Sequence, residues 1–251
     1  MKNSEKLIVA LDVANLNYAY RLVGQLADCV QMFKIGNQFF TSFGPAAVRM
    51  LLENQKRIFL DLKFHDIPNT VARAAEAATE LCSLRSPTTS SYGVDMFNVH
   101  AAGGTVMMRA AAEATKARAE QLSVPKPLVL GVTMLTSIDE KQFQSDFETA
   151  RKLIDQVAYF AELAQRAGLD GVVASPHEID VIRKTCGEDF VIVTPSVRPS
   201  WAAKNDQSRV MTPAEAIARG ANYIVVGRPI YASPNPKEAV LKILQEIDDD
   251  C

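Results

Sequence analysis

The sequence has little with which to bind a metal or build a disulfide framework. Its four cysteines, Cys29, Cys82, Cys186 and Cys251, show no CxxC spacing, and its three histidines, His65, His100 and His177, form no HxxxH pattern. Neither a zinc site nor a disulfide-braced scaffold is expected, and reduced cysteines suit the cytosol. There is no large excess of either charge. Lys and Arg number 27 against 29 Asp and Glu, a net charge of −2, which removes any general attraction to nucleic acid or anionic membranes. An anion bound by this chain must be held by a local site. Long apolar runs are missing too: in MKNSEKLIVALD the run before Asp12 spans only about five residues, too short for the core of a signal peptide or a membrane span. The expectation is a cytoplasmic protein with neither a membrane nor a nucleic-acid partner.

What the chain does have is a repeating alternation. Its 251 residues are 48% hydrophobic and 22% charged, enough to bury a sizeable core. Unbroken apolar runs rich in β-branched residues recur at 6–12, 30–36, 57–63, 94–100, 127–133, 169–175, 190–196 and 222–228. Such runs suit parallel strands covered on both faces. Between them lie amphipathic stretches at 16–27, 45–54, 69–81, 105–121, 149–167, 178–185 and 214–219, with 237–247 closing the series. Eight strands alternating with eight helices predict one (β/α)8 TIM-type barrel over residues 1–251. An open doubly wound sheet is the alternative, but the first turn, ALDVANLN, has no GxGxxG.

Three connections exceed what a barrel needs. Residues 84–93 fall on the face away from barrel chemistry and read as a surface excursion. Residues 134–148 and 197–211 follow the fifth and seventh runs, on the side where barrel active sites lie, and are candidate lids.

Charge interrupts the apolar runs where they end. Asp12 follows the first, Lys34 lies near the end of the second, and Asp61 and Lys63 end the third. His100 ends the fourth, Thr133 and Thr136 follow the fifth, Arg198 follows the seventh, and Gly227 and Arg228 end the eighth. A single charge at a strand end is an ordinary solvated terminus. Several of both signs, brought to one rim by a barrel, point to a site.

The segment DLKFHDIPNT (61–70) is the sharpest of these. Period-two geometry puts Asp61 and Lys63 on one inward face. Asp66 falls in the turn that follows, Pro68 suits a helix start, and Asn69 or Thr70 can cap it. A bare DxKxxD is also what an ion-paired strand end and a helix cap produce. The ten-residue string is far more specific.

That string closely resembles the signature of bacterial orotidine 5′-monophosphate decarboxylases. The likeness continues in VALD (9–12), FKIG (33–36), NVHAAGG (98–104), GVTMLTS (131–137), TPSVRP (194–199), NDQ (205–207) and VVGRPI (225–230). These stand in the family's order across nearly the whole chain. The resemblance implies that Lys63 is the proton donor, flanked by Asp61 and by Asp66, the latter reaching into a neighbouring subunit's site. It implies that Asp12, Lys34 and, from the partner subunit, Thr70 contact the ribose, with Ile67 beside the substrate. Thr136 would address the pyrimidine, and Arg198, Gln207, Gly227 and Arg228 the phosphate. A nucleotide substrate, a homodimer and no cofactor or metal are implied with them. One departure stands out: the family usually has Gly where this chain has Ser196, so the backbone there is expected to adopt a conformation less natural to Ser.

These residue types suit decarboxylation without a cofactor. Loss of carbon dioxide leaves a carbanion, which most decarboxylases delocalise into an electron sink such as pyridoxal phosphate or thiamine. No binding motif for either is evident, and in-plane ring electrons cannot easily use one. A lysine ammonium braced by carboxylates can stabilise the negative charge and then protonate it. One unit-charge pair at about 4 Å and an effective dielectric of about 20 is worth about 4 kcal/mol, so a lysine is important without being the whole effect. Asp61 is further expected, as a hypothesis, to repel the substrate carboxylate in the ground state.

Two other readings remain open. Keto-sugar-phosphate decarboxylases and aldolases of the same superfamily share DxKxxD but look metal-dependent, with an acidic residue after the second-strand lysine, where this chain has Lys34-Ile-Gly-Asn-Gln. The other is a catalytically silent phosphate-binding barrel. His65, His100, Trp201, Met107–Met108, Phe39–Phe40 and the Asp248–Asp250 run are read as structural.

Overall fold

Along each strand, side chains alternate between two apolar environments. Leu7, Val9, Phe33, Ile35, Leu60, Phe97 and Val99 belong to the larger cluster, packed with helix residues. Their neighbours Ile8, Ala10, Met32, Phe59, Met96, Leu130 and Val132 form a second, interior cluster. Two-sided burial of this kind requires a sheet covered outside by helices and closed upon itself inside.

The computed structural model, which describes residues 3–81, 93–202 and 211–249, has that architecture. Strands β1 (Leu7–Ala10), β2 (Met32–Gly36), β3 (Arg57–Phe64), β4 (Val94–His100), β5 (Leu128–Val132), β6 (Gly171–Val173), β7 (Val191–Thr194) and β8 (Tyr223–Val226) close in chain order into a barrel. Every adjacent pair is parallel, β8 returning to β1. The TIM-type barrel expected from the alternation is the fold.

The helices are α1 (Asn3–Lys6), α2 (Leu16–Gln25), α3 (Asn37–Phe43), α4 (Pro45–Glu53), α5 (Pro68–Glu80) and α6 (Gly104–Leu122). They continue with α7 (Glu140–Asp146), α8 (Leu153–Arg166), α9 (Ile179–Cys186), α10 (Pro213–Ala218), α11 (Arg228–Tyr231) and α12 (Pro236–Asp249). Four of them went unread in the sequence: α1, α3, α7 and α11. α3 and α4 are separated at Gly44, whose φ of +53° a residue without Cβ accepts readily. α7 lies within the 134–148 connection, one of the two candidate lids, and makes part of it helical. Asp139 caps the helix by accepting from the Gln142 N–H at 2.8 Å, and its own Phe143 is buried.

The other candidate lid, 197–211, is described at its two ends. Its ends are pinned by a bridge between Val197 and Met211, with the Arg198 N–H donating to the Met211 carbonyl at 3.0 Å. Residues 203–210, and with them Gln207, lie outside the described residues, as does all of the 84–93 excursion except Gly93.

Candidate active site

The pleat that fills the barrel interior also builds the site. Continuing the inward faces by two residues takes Met32 to Lys34, Phe59 to Asp61 and Met96 to Asn98. Four charges of alternating sign result. Lys34 Nζ lies 3.0 Å from Asp12 Oδ1 and 3.2 Å from Asp61 Oδ2, and Lys63 Nζ lies 2.7 Å from Asp61 Oδ1. Lys34 and Asp61 are each only 8% exposed. Burial opposes charge on both, but their ion pairs outweigh it. Asp61 is held below the ordinary carboxylate range by Lys34 and Lys63 and by hydrogen bonds from Lys63 and Asn98. Lys34 is held above the ordinary lysine value by Asp61 and Asp12. Removing Lys34 or Asp61, the buried pair at the centre of the array, leaves an uncompensated charge, a loss of about 3–5 kcal/mol in comparable pairs.

Lys63 reaches this array from a backbone that is not a regular strand. Its φ is +52°, in the left-handed region that non-glycine residues avoid. Leu60 pairs with Phe97 and Phe64 with Val99, so three residues of β3 face the single residue Asn98 of β4. The bulge re-aims the lysine, and simple period-two geometry did not anticipate it. Asn98, fully buried, fills the gap: its Oδ1 accepts from the Lys63 N–H at 2.8 Å and its Nδ2 donates to Asp61 Oδ1 at 2.7 Å. An asparagine between Phe97 and Val99, on the same face of the run as Met96, was the signal available in the sequence.

Two cavities meet at the charged array, both lined by Lys34, Asp61, Pro195 and Val225. One, of about 250 Å³, has apolar walls from Phe59, Val132 and Val173, with Lys63 and Thr136 at its edge. The other, of about 260 Å³, is lined by Asp12, Ser196, Arg198, Gly227 and Arg228. A flat ring fits the first and an anion the second. Arg198 is 5% exposed, and Gly227 precedes the one-turn helix α11 that starts with Arg228. The expected strained residue after β7 is present: Ser196 has φ +63°, and its hydroxyl lies 3.0 Å from that of Thr136.

The array and the two cavities thus unite Asp12, Lys34, Asp61, Lys63, Thr136, Arg198, Gly227 and Arg228. Three other residues stand apart. Asp66, Ile67 and Thr70 are exposed, and Asp66 Oδ1 accepts from the Ile67 N–H at 2.6 Å, with no ion pair to Lys63 inside the chain. The expected cap by Asn69 or Thr70 is absent. α5 begins at Pro68, so both residues lie within its first turn, and Ile67 takes the cap position without a side-chain hydrogen bond. His65 and His100 stack with ring centroids 5.3 Å apart, and burial lowers the pKa of His100, with His65 and Lys63 adding to the effect.

Among the described residues no group of three or more His, Cys, Asp or Glu side chains is arranged to hold a metal ion. No helix among them is long and apolar enough to cross a membrane.

The chain is similar to known proteins over nearly its whole length. The family model described as orotidine 5′-phosphate decarboxylase / HUMPS family matches residues 5–243. A protein of Moorella thermoacetica named orotidine 5′-phosphate decarboxylase is 52% identical over 248 residues, covering 99% of this chain and 94% of that protein. One of the same name from Syntrophomonas wolfei is 46% identical over 250 residues, covering 99% and 100%. Among solved structures, an orotidine 5′-phosphate decarboxylase from Lactobacillus acidophilus superposes with a TM-score of 0.79 at 32% identity, covering 97% of this chain and 99% of that one.

Proposed function

The chain belongs to the orotidine 5′-phosphate decarboxylase / HUMPS family, and from that membership and the site we propose that it decarboxylates orotidine 5′-monophosphate to uridine 5′-monophosphate, a step of pyrimidine biosynthesis. The observation that carries this reading is the meeting of an apolar ring pocket and an arginine-lined pocket at one charged array.

The pyrimidine takes the apolar cavity, with Thr136 at its edge, and the phosphate takes the cavity of Arg198, Gly227 and Arg228, joined by Gln207. Asp12 and Lys34, between the two, hold the ribose. As the ring-carbon to carboxylate bond breaks, carbon dioxide leaves and the electron pair stays on the ring carbon. The Lys63 ammonium stabilises that charge and gives up a proton to it, and solvent later reprotonates the amine. Phosphate binding, remote from the reacting carbon, supplies energy that offsets the cost of assembling the charged array around the substrate. The reaction so written uses no metal or cofactor.

The active form in this reading is a homodimer, with Asp66, Ile67 and Thr70 serving the partner's site. Supporting it, Asp66 and Thr70 are exposed next to Ile67, which is 66% exposed, and Val106, Leu135 and Phe147 are large apolar residues left at the surface. A cytoplasmic setting fits the free thiols of Cys29 and Cys186.

The test is the fall in orotidylate absorbance, with and without EDTA, for the wild-type protein and Lys63→Ala. EDTA should change nothing, and the variant should lose at least about 10²–10⁴-fold in kcat, the worth of a positioned acid. Full turnover by folded Lys63→Ala rejects the lysine mechanism, and EDTA sensitivity points to the metal-dependent relatives.

A further inference from the structure

Asn98 occupies one of two places where β3 and β4 fail to pair regularly, the other lying between Ile58 and Phe59. From Leu60 to Phe64 the β3 backbone bulges, and the strand ladder offers Lys63 no partner. On its other side Asn98 stays in register, paired with Leu130 of β5. Its side chain is therefore mounted on a regular part of the barrel and directed at an irregular one. Both halves of the amide are used: the carbonyl takes the Lys63 N–H, and the amino group holds the Asp61 oxygen that also accepts from Lys63 Nζ.

The amide can sit only one way round. Reversing it would set an amino group against the Lys63 N–H and a carbonyl against the Asp61 carboxylate, both repulsive. Among side chains of this size, only asparagine supplies an acceptor and a donor in these directions. Left-handed φ at a lysine persists only where the surroundings over-determine it. The backbone hydrogen bond at Lys63 and the second hydrogen bond to Asp61 are what this structure provides.

We propose that Asn98 is a positioning residue for the decarboxylation, holding the strained Lys63 backbone and the Asp61 carboxylate in one rigid triangle so that the ammonium points at the ring cavity. This rests on the functional reading above. Asn98 touches neither cavity, so it acts through Lys63 and Asp61.

Two variants separate positioning from mere folding. Asn98→Ala removes both hydrogen bonds; with the folded fraction set by circular dichroism, kcat should fall about 10²-fold, as for a misplaced catalytic group, while KM stays within about threefold. Asn98→Asp keeps the acceptor for the Lys63 N–H but loses the donor and sets a second carboxylate against Asp61. Protonating that new carboxyl restores a donor, so kcat of this variant should rise as pH falls towards 5 while that of the wild type does not. A structural role does not predict this opposite pH trend. Wild-type kcat in folded Asn98→Ala, or parallel pH profiles for Asn98→Asp and wild type, overturns the proposal. Should Asn98→Ala fail to fold, the profile of Asn98→Asp decides alone. Inactivity of the wild type on orotidylate refutes the functional reading instead.

Discussion

The hydroxyl of Ser196 lies 3.0 Å from the hydroxyl of Thr136, joining the connection after β7 to the one after β5 across the mouth of the barrel. Ser196 makes this contact from φ +63°, where a glycine would be unstrained. A neutral hydrogen bond contributes about 0.5–1.5 kcal/mol, so Ser196→Ala, which keeps the Cβ and removes the hydroxyl, should raise KM for orotidylate about 2–10-fold. Ser196→Gly should raise KM similarly, with stability within about 1 kcal/mol of wild type, because relief of strain offsets the added chain entropy. Steady-state kinetics and thermal melts check both, and an unchanged KM in Ser196→Ala shows that the hydroxyl pair is idle.

Gly36 is a second position where a small change should reach the chemistry. A Cβ placed there would lie 2.7 Å from Lys34 Nζ and 2.9 Å from Asp12 Oδ1. Both contacts are with the ends of side chains that can move, so Gly36→Ala should fold with a melting temperature close to wild type. The ammonium and carboxylate must still shift by several tenths of an ångström. A loss of about 10-fold or more in kcat/KM is expected from that displacement, and a fully active variant would show that the array tolerates it.

The pH response follows from the signs of the shifts. Asp61 lies below its ordinary value of 3.8, so its contribution to stability is present above 3.8 and is lost as pH falls through its folded-state value. Lys34 lies above its ordinary 10.5, so its contribution is present below 10.5 and is lost as pH rises through its folded-state value. Neither group changes charge between these limits, and kcat should be flat from about pH 5 to 9 as far as both are concerned. His100, lowered from 6.5, favours the folded state above 6.5, so a mild loss of stability should begin below that pH. The substrate phosphate titrates near about pH 6, so kcat/KM should fall there while kcat does not. A kcat that bends at pH 6 contradicts this assignment.

The proposed sharing of sites between subunits can be tested by mixing. Lys63→Ala and Asp66→Ala should each be inactive alone. If Asp66 serves the partner's Lys63, random reassortment gives half heterodimers, each with one intact site of two, and about a quarter of wild-type activity should return. No recovery after verified subunit exchange places Asp66 and Lys63 of one chain in the same site.

The proposed phosphate pocket has its own signature. Arg228→Ala removes a forked donor from the anion cavity and should raise KM for orotidylate by about 10-fold or more. An unchanged KM removes Arg228 from the phosphate site.

The sequence alone was sufficient for the barrel, because parallel strands buried on two faces leave eight continuous apolar runs, and for the charges that interrupt those runs at their ends. It also flagged Ser196, because a residue in place of a glycine has a predictable backbone consequence. Only the tertiary structure decided which charges touch and how Lys63 is aimed. The bulge between β3 and β4, the role of Asn98 and the approach of Asp12 to Lys34 and Gly36 are relations between residues that lie tens of positions apart. No periodicity within one strand encodes them, since a left-handed residue and a fully engaged buried amide exist only once the neighbouring strand is in place.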